Sequence, residues 1–194
     1  MYDYQEVIGK KVFLSREGKE AGVVKDVLVS GKGHEVKGFI VREKKDVYLP
    51  YENVNSLNND VMTASEGFDK KPEDGFMEGS GFKGLKVVTE KGRELGNIVT
   101  FYFDSGGHIT HYEVSGGVFK DIAEGRGLMP GAGIKSHGPD AVIVKKETEE
   151  IVNQMKAGGA GAALRLKEFL KGMTNHFGAG GTGGGGEKDS RKKQ

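Results

Sequence analysis

The fold is decided by a short motif that occurs twice: GKEAGVV at residues 18–24 and GRELGNI at residues 92–98, 74 residues apart. Both copies keep two glycines, a glutamate and a β-branched last residue. Two further segments recur around the motif in the same order: GKKV at 9–12 as GLKV at 84–87, and Gly33-His34 as Gly107-His108. Ordered agreement over about sixty residues indicates an internal duplication.

The second copy is longer than the first. A later group of residues recurs at a spacing of 80 instead of 74: Pro50, Ser56 and Asp60 match Pro130, Ser136 and Asp140. The second copy therefore carries six extra residues (80 − 74), which must lie before Pro130.

Each copy consists of short β-branched and aromatic runs separated by turn residues, a pattern typical of short strands joined by hairpins. Five or six such strands in about 60 residues must curl into a small closed barrel to bury one face and protect their edges. The sequence thus predicts an all-β fold with two tandem barrels. The expected strands are 12–14, 22–29, 36–41, 47–49 and 61–62, then 86–89, 96–103, 109–114, a piece near 128, and 141–144.

Composition narrows the class of protein. The 194 residues include 33 glycines and no cysteine, which disfavours a helical bundle and excludes disulfides and cysteine-based metal sites. The formal net charge is +1, so the basic surface of a typical nucleic-acid-binding protein is not expected. No apolar run approaches the length of a membrane span, and no basic start precedes an apolar stretch. These features predict a cytoplasmic protein.

Together the repeated motifs resemble the PRC-barrel domain, a small β-barrel also found in the photosynthetic reaction-centre H subunit and in the ribosome maturation factor RimM. The resemblance rests on Gly-Lys-x-Val, on Gly-x-Glu-x-Gly-x-Val/Ile, and on the Leu/Met-Pro step, and it covers residues 1–64 and 82–146. The segment VSGG at 114–117 and Gly125-Arg126 look like the longer form of this domain. The matching residues are glycines and apolar positions, so the resemblance implies a fold and carries no chemistry.

The remaining segments have different compositions. Residues 65–81 hold five carboxylates, two lysines and several glycines, which predicts a solvated acidic linker. Residues 147–177 are expected to form a broken amphipathic helix, interrupted at Gly158-Gly159. Residues 178–194 are rich in Gly and then in Lys and Arg, and are expected to be disordered.

The candidate catalytic motifs each have a simpler structural interpretation. GSGFKG at 79–84 matches the spacing of a phosphate-binding loop, but it enters an expected strand instead of a helix. His34 and His108 occupy equivalent places after a turn glycine, which favours surface turns over a metal site. Glu20 and Glu94 lie in the repeated turn motif. The sequence therefore predicts a protein without enzymatic activity, cofactor or metal.

Two groups of residues are candidates for partner binding. In the longer second copy, Phe119, Ile122 and Leu128 alternate with charged residues that include Arg126, and they either cap the barrel end or form a partner patch. In the C-terminal segment, an apolar stripe is expected to pack on one of four partners: the barrels, a second copy of the chain, a membrane or another protein. The candidates in that stripe are Leu166, Phe169, Leu170 and Met173.

The resemblance implies a non-catalytic cytoplasmic adaptor or scaffold that binds protein partners, or a second copy of itself, with two units available for bivalent binding. The alternative is a factor associated with ribosome assembly or RNA processing, similar to RimM. Since neither copy is strongly basic, contact with nucleic acid is expected only in such a ribosome-bound role. Membrane contact is expected only through the C-terminal helix.

Overall fold

The computed structural model describes residues 1–58, 60–65, 68, 75–119 and 126–149. Short strands make up most of them. In chain order the strands are β1 (Tyr2–Asp3), β2 (Lys11–Leu14), β3 (Glu20–Ser30), β4 (Val36–Arg42), β5 (Asp46–Pro50), β6 (Val54–Leu57), β7 (Val61–Ala64), β8 (Phe76–Glu78), β9 (Lys86–Thr89), β10 (Glu94–Phe103), β11 (Ile109–Ser115), β12 (Arg126–Pro130), β13 (Ile134–His137) and β14 (Ala141–Val144). The short helices are α1 (Tyr4–Val7) and the 3-10 helices Tyr51–Asn53, Gly79–Phe82, Gly117–Phe119 and Gly131–Gly133.

The strands form two sheets, one for each copy of the repeat. The first unit has the order β5-β4-β3-β2-β7-β6, and the second unit has the equivalent order β12-β11-β10-β9-β14-β13. In each unit the last strand returns to pair in parallel with the first strand of the main sheet, β7 with β2 and β14 with β9. Every strand expected from the sequence lies within an observed strand, so the prediction of an all-β fold with two tandem units is confirmed.

The second glycine of each repeated motif occupies a place that no side chain could share. Gly22 and Gly96 have φ angles of +130° and +148°. A Cβ atom would lie 2.4 Å from the Arg42 carbonyl oxygen at the first glycine and 2.5 Å from the Ser115 carbonyl oxygen at the second. Glycine recurs at this position of the motif because β3 and β10 each approach a neighbouring strand too closely to leave room for a side chain.

The two units exchange their leading strands. β1 precedes the first unit in the chain but pairs with β10 of the second unit, with Tyr2 opposite Phe103. β8 precedes the second unit but pairs with β3 of the first, with Met77 opposite Val29. The exchange is reciprocal, and each sheet is completed by a strand from the other half of the chain.

A single cluster of buried apolar side chains runs through both units. Val27 and Phe39 of the first unit belong to it together with Phe101 and Tyr112 of the second. Tyr4 of α1 stacks on Phe101, with their ring centroids 4.8 Å apart. The strand exchange is thus accompanied by a core that the two units share.

The acidic segment 65–81 differs at its end from the expected solvated linker. Its last residues form β8 and most of the 3-10 helix Gly79–Phe82, and Phe82 is fully buried. The peptide groups of β8 pair with β3, about 50 residues earlier in the chain. The carboxylates dominate the composition of this segment, and a local pattern carries no information about so distant a partner strand.

The described chain ends in a helical turn at 146–149. Thr148 is buried there and its hydroxyl donates to the Gly133 carbonyl, 3.3 Å away, while Glu149 pairs with Arg93. The rest of the expected helix and the glycine-rich tail, including Leu166, Phe169, Leu170 and Met173, lie outside the described residues. Within the described part of the chain, no helix is long and apolar enough to cross a membrane.

Candidate partner-binding surface on the second unit

The duplication supplies an internal comparison, because equivalent positions of the two units are paired in the same register. Ile40 of β4 pairs with Tyr48 of β5, and at the same places Glu113 of β11 pairs with Leu128 of β12. Residues of these strands alternate between the shared core and the outer face. The equivalent outward positions are Leu28 and Tyr102, Gly38 and His111, Ile40 and Glu113, and Tyr48 and Leu128.

On the first unit these outward positions are apolar and cover one another. Leu28, Ile40 and Tyr48 form a small buried cluster separate from the shared core. The Tyr48 ring lies over Gly38, where a Cβ atom would be only 2.4 Å from the ring. The Tyr48 hydroxyl donates to the Lys37 carbonyl at 2.7 Å. This outer face is filled by its own side chains.

On the second unit three of these four positions carry polar groups, and the fourth is a leucine. We call Tyr102, His111, Glu113, Arg126 and Leu128 the polar face. Arg126 Nη1 donates to Glu113 Oε1 at 2.6 Å, and the Tyr102 hydroxyl donates to Glu113 Oε2 at 3.2 Å. The Tyr102 and His111 rings are stacked with their centroids 4.5 Å apart. The Glu113 side chain is 13% exposed and the Arg126 side chain 56%, so a partly buried carboxylate positions an accessible guanidinium.

Burial shifts the pKa values of two side chains of the polar face, Tyr102 and His111. It raises the pKa of Tyr102 to about 12, with Asp3 and Glu113 adding to the shift, so this phenol remains a hydrogen-bond donor at neutral pH. Burial also lowers the pKa of His111, against the opposing effect of Glu113 and Asp3. The imidazole is therefore neutral at pH 7, and the charge of the face comes from Arg126 and Glu113.

Burial of His111 and His137 makes stability depend on pH. Desolvation lowers the pKa of both imidazoles in the folded chain, so below pH ~6.5 the unfolded chain binds more protons than the folded one. We expect the contribution of the two neutral imidazoles to the free energy of unfolding to be complete above pH ~6.5 and to be lost as the pH drops toward 5. Urea denaturation at pH 7 and pH 5 measures the loss. A His111→Gln/His137→Gln variant should show a smaller loss, and an unchanged loss would contradict this origin.

The structure brings together two of the residues predicted from the sequence, Arg126 and Leu128, on the outer side of β12. Phe119 ends the 3-10 helix Gly117–Phe119, and Ile122 lies outside the described residues. Tyr102, His111 and Glu113 are not among the partner-binding residues predicted from the sequence. A position-by-position comparison of the two copies at outward-facing places would have singled them out.

The equivalent histidines His34 and His108 lie where the turns of the two units meet. His34 Nε2 is 3.1 Å from the Ile134 carbonyl oxygen. The backbone of His108 forms an isolated antiparallel β-bridge with the backbone of Glu35. The His108 side chain is 54% exposed and pairs with Asp104. Among the described residues, no group of three His, Asp or Glu side chains is arranged to hold a metal ion.

The two-unit architecture and its motif glycines agree with a known domain. A family model for the PRC-barrel domain matches residues 1–67 and 74–151, which is most of the chain. The chain belongs to the PRC-barrel domain family. The first matched segment contains strands β2–β7 of the first PRC-barrel unit, and the second contains strands β9–β14 of the second unit. All residues of the polar face lie in the second segment.

The comparison with solved structures matches the chain to a protein from Pseudomonas aeruginosa that is described as a 16S ribosomal RNA processing protein, RimM. The sequence identity is 16%, and the match covers 72% of this chain and 95% of the other, with a TM-score of 0.28. No curated protein matches the chain.

Proposed function

We propose that this PRC-barrel protein is a non-catalytic adaptor that binds a protein partner through the polar face of its second unit. The observation that carries the proposal is the divergence of the two outer faces. The motif glycines and the strand order agree between the units, whereas the outward positions of the first unit hold a buried apolar cluster and those of the second carry Tyr102, His111 and Glu113 beside Leu128. Packing of the fold explains why the motif glycines and the strand order agree between the units. It does not require polar side chains at the outward positions of the second unit.

The chemistry of the polar face suits a protein partner. Arginine and tyrosine are enriched among the residues that dominate binding energy at protein interfaces. Glu113 already fixes the Arg126 guanidinium, so little side-chain freedom is lost when a partner binds. Leu128 adds an apolar contact beside the charged pair.

The packing of His111 supports a non-catalytic role. A general base must lie within hydrogen-bond reach of a substrate proton. His111 is 5% exposed, its ring is stacked on Tyr102, and its Nδ1 atom lies 3.0 Å from the Thr110 hydroxyl. The side chain is positioned as part of the surface structure, and we propose that it orients Tyr102. We further propose a cytoplasmic location, in keeping with a chain that has no cysteine.

An Arg126→Ala/Leu128→Ala variant tests the proposal. Proteins retained by the full chain from an extract of its source would be identified, and the purified partner's dissociation constant measured. We expect the variant to raise that constant at least about tenfold, because exposed interface anchors are lost. Arg42→Ala is the matched control, since Arg42 is also an exposed arginine paired with a carboxylate, but on the first unit.

Equal binding by the variant, the control and the unaltered chain would show that the partner uses another surface. Turnover of a small substrate by the full chain, lost in the His111→Gln variant, would overturn the non-catalytic role. If the retained partner is a ribosomal subunit and co-sedimentation persists at moderate salt, the ribosome-assembly alternative gains the support, because loose phosphate contacts are screened under those conditions.

A further inference from the structure

The contacts between the two PRC-barrel units are those of a protein–protein interface. Main-chain hydrogen bonds join the turns of the two units: Val36 donates to the Gly107 carbonyl at 2.7 Å, and Ile109 donates to the His34 carbonyl at 2.9 Å. β1 and β8 extend the main-chain pairing into both sheets. These bonds cross between halves of the chain that are linked only through the segment around residue 70.

The contacts are reciprocal. Each unit gives its leading strand to the long central strand of the other, and each turn donates one hydrogen bond to the opposite turn. Reciprocity of this kind is the mark of an interface between two copies that are related by a two-fold axis. The duplication has placed both copies in one chain.

Side chains reinforce the contact between the units. The buried Tyr112 hydroxyl of the second unit donates to the Gly33 carbonyl of the first at 2.7 Å. Tyr51 lies edge-on to Phe103 with ring centroids 6.4 Å apart, and its hydroxyl donates to the Asp104 carbonyl at 3.2 Å. The interface therefore combines buried aromatic side chains with hydrogen bonds to main-chain carbonyls, a composition expected of a stable association.

We infer that this face is a pairing surface between PRC-barrel units: a unit of this kind takes a second such unit as its partner, and the duplicated chain supplies that partner within one molecule. The covalent link raises the effective concentration of the second unit and adds no contact of its own to the surface. In the intact chain the pairing surface is occupied, so it is separate from the polar face and does not depend on the function proposed for it.

Cleavage of the full chain tests the inference. A specific protease site is inserted between Lys71 and Pro72, and the folded protein is cut into two halves. We expect both halves to elute together at the position of the intact chain in gel filtration. Two cleaved proteins that carry different tags, unfolded together in urea and refolded as a mixture, should also give pairs with one half from each. Separation of the halves in any form would overturn the inference.

A matched pair of tyrosine variants locates the surface. Tyr112→Phe removes a hydrogen bond between the halves, whereas Tyr48→Phe removes a bond of the same 2.7 Å length within the first unit. We expect Tyr112→Phe to weaken the association of the cleaved halves by roughly five- to tenfold, and Tyr48→Phe to leave it unchanged. Equal effects of the two variants, including none, would contradict the assignment of the surface.

Discussion

Replacing Phe82 by alanine is expected to lower the free energy of unfolding by about 3–5 kcal/mol. Phe82 is fully buried. Its ring centroid lies 5.7 Å from that of Tyr112, 6.2 Å from that of Phe101 and 5.2 Å from that of His137. Alanine would leave a cavity among rigid aromatic rings that cannot close around it.

The same variant tests whether the two units unfold together. Because the core is shared, we expect one transition in urea, monitored by circular dichroism, shifted to lower urea concentration as a whole. Phe76→Ala is the control, since Phe76 comes from the same segment but is 37% exposed, and its loss should be within about 1 kcal/mol. Two separate transitions, with only the second unit destabilised, would show that the units fold independently.

How much of the fold is predictable from the sequence depends on whether the deciding interaction is local. Gly22 and Gly96 are recognisable because a close backbone approach excludes every other residue, and the runs that follow them alternate as strands do. β1 and β8 have only two and three residues, too few for a periodic pattern. Their partners are in the other half of the chain, so the exchange could not be predicted from either copy alone.

The residues of the polar face also divide into those that the local sequence predicts and those that depend on long-range pairing. Arg126 and Leu128 drew attention because they lie in the longer part of the second copy. Glu113 and Tyr102 look like ordinary alternating residues of predicted strands, and their contact depends on the register of β10, β11 and β12. Register is set by bulges and by the opposite strand, which the local sequence does not contain.

The exchange has a consequence for the placement of binding sites. The faces by which the two units meet are occupied, and the outer face of the first unit is closed by Leu28, Ile40 and Tyr48. On the equivalent outer face of the second unit, the exposed Arg126 guanidinium is paired with Glu113 beside Tyr102 and His111. The outer face of the second unit is therefore the one on which we propose the partner-binding site.

Asp26 is the centre of a buried polar cluster that joins three segments of the chain. Its side chain is buried and has no cationic partner among its described hydrogen bonds. It accepts hydrogen bonds from the Tyr4 hydroxyl at 3.1 Å, from the Val27 amide at 2.7 Å, and from both the amide and the hydroxyl of Ser80. Burial and the adjacent Asp26 carboxylate raise the pKa of Tyr4, which keeps that phenol a donor.

Asp26→Ala is therefore expected to cost more than about 2 kcal/mol of the free energy of unfolding, because it leaves several buried donors without an acceptor, each worth about 1–3 kcal/mol. Asp26→Asn should cost less, since an amide oxygen still accepts from two donors while the hydroxyls can turn to other acceptors. Asp46→Ala is the control for the loss of a carboxylate, as Asp46 forms exposed ion pairs with Arg42 and Lys25, and it should change little. Urea denaturation of the three variants orders them; an Asp26→Ala chain as stable as the Asp46→Ala chain would mean that water satisfies the donors, and that the cluster does not hold the exchanged segments in place.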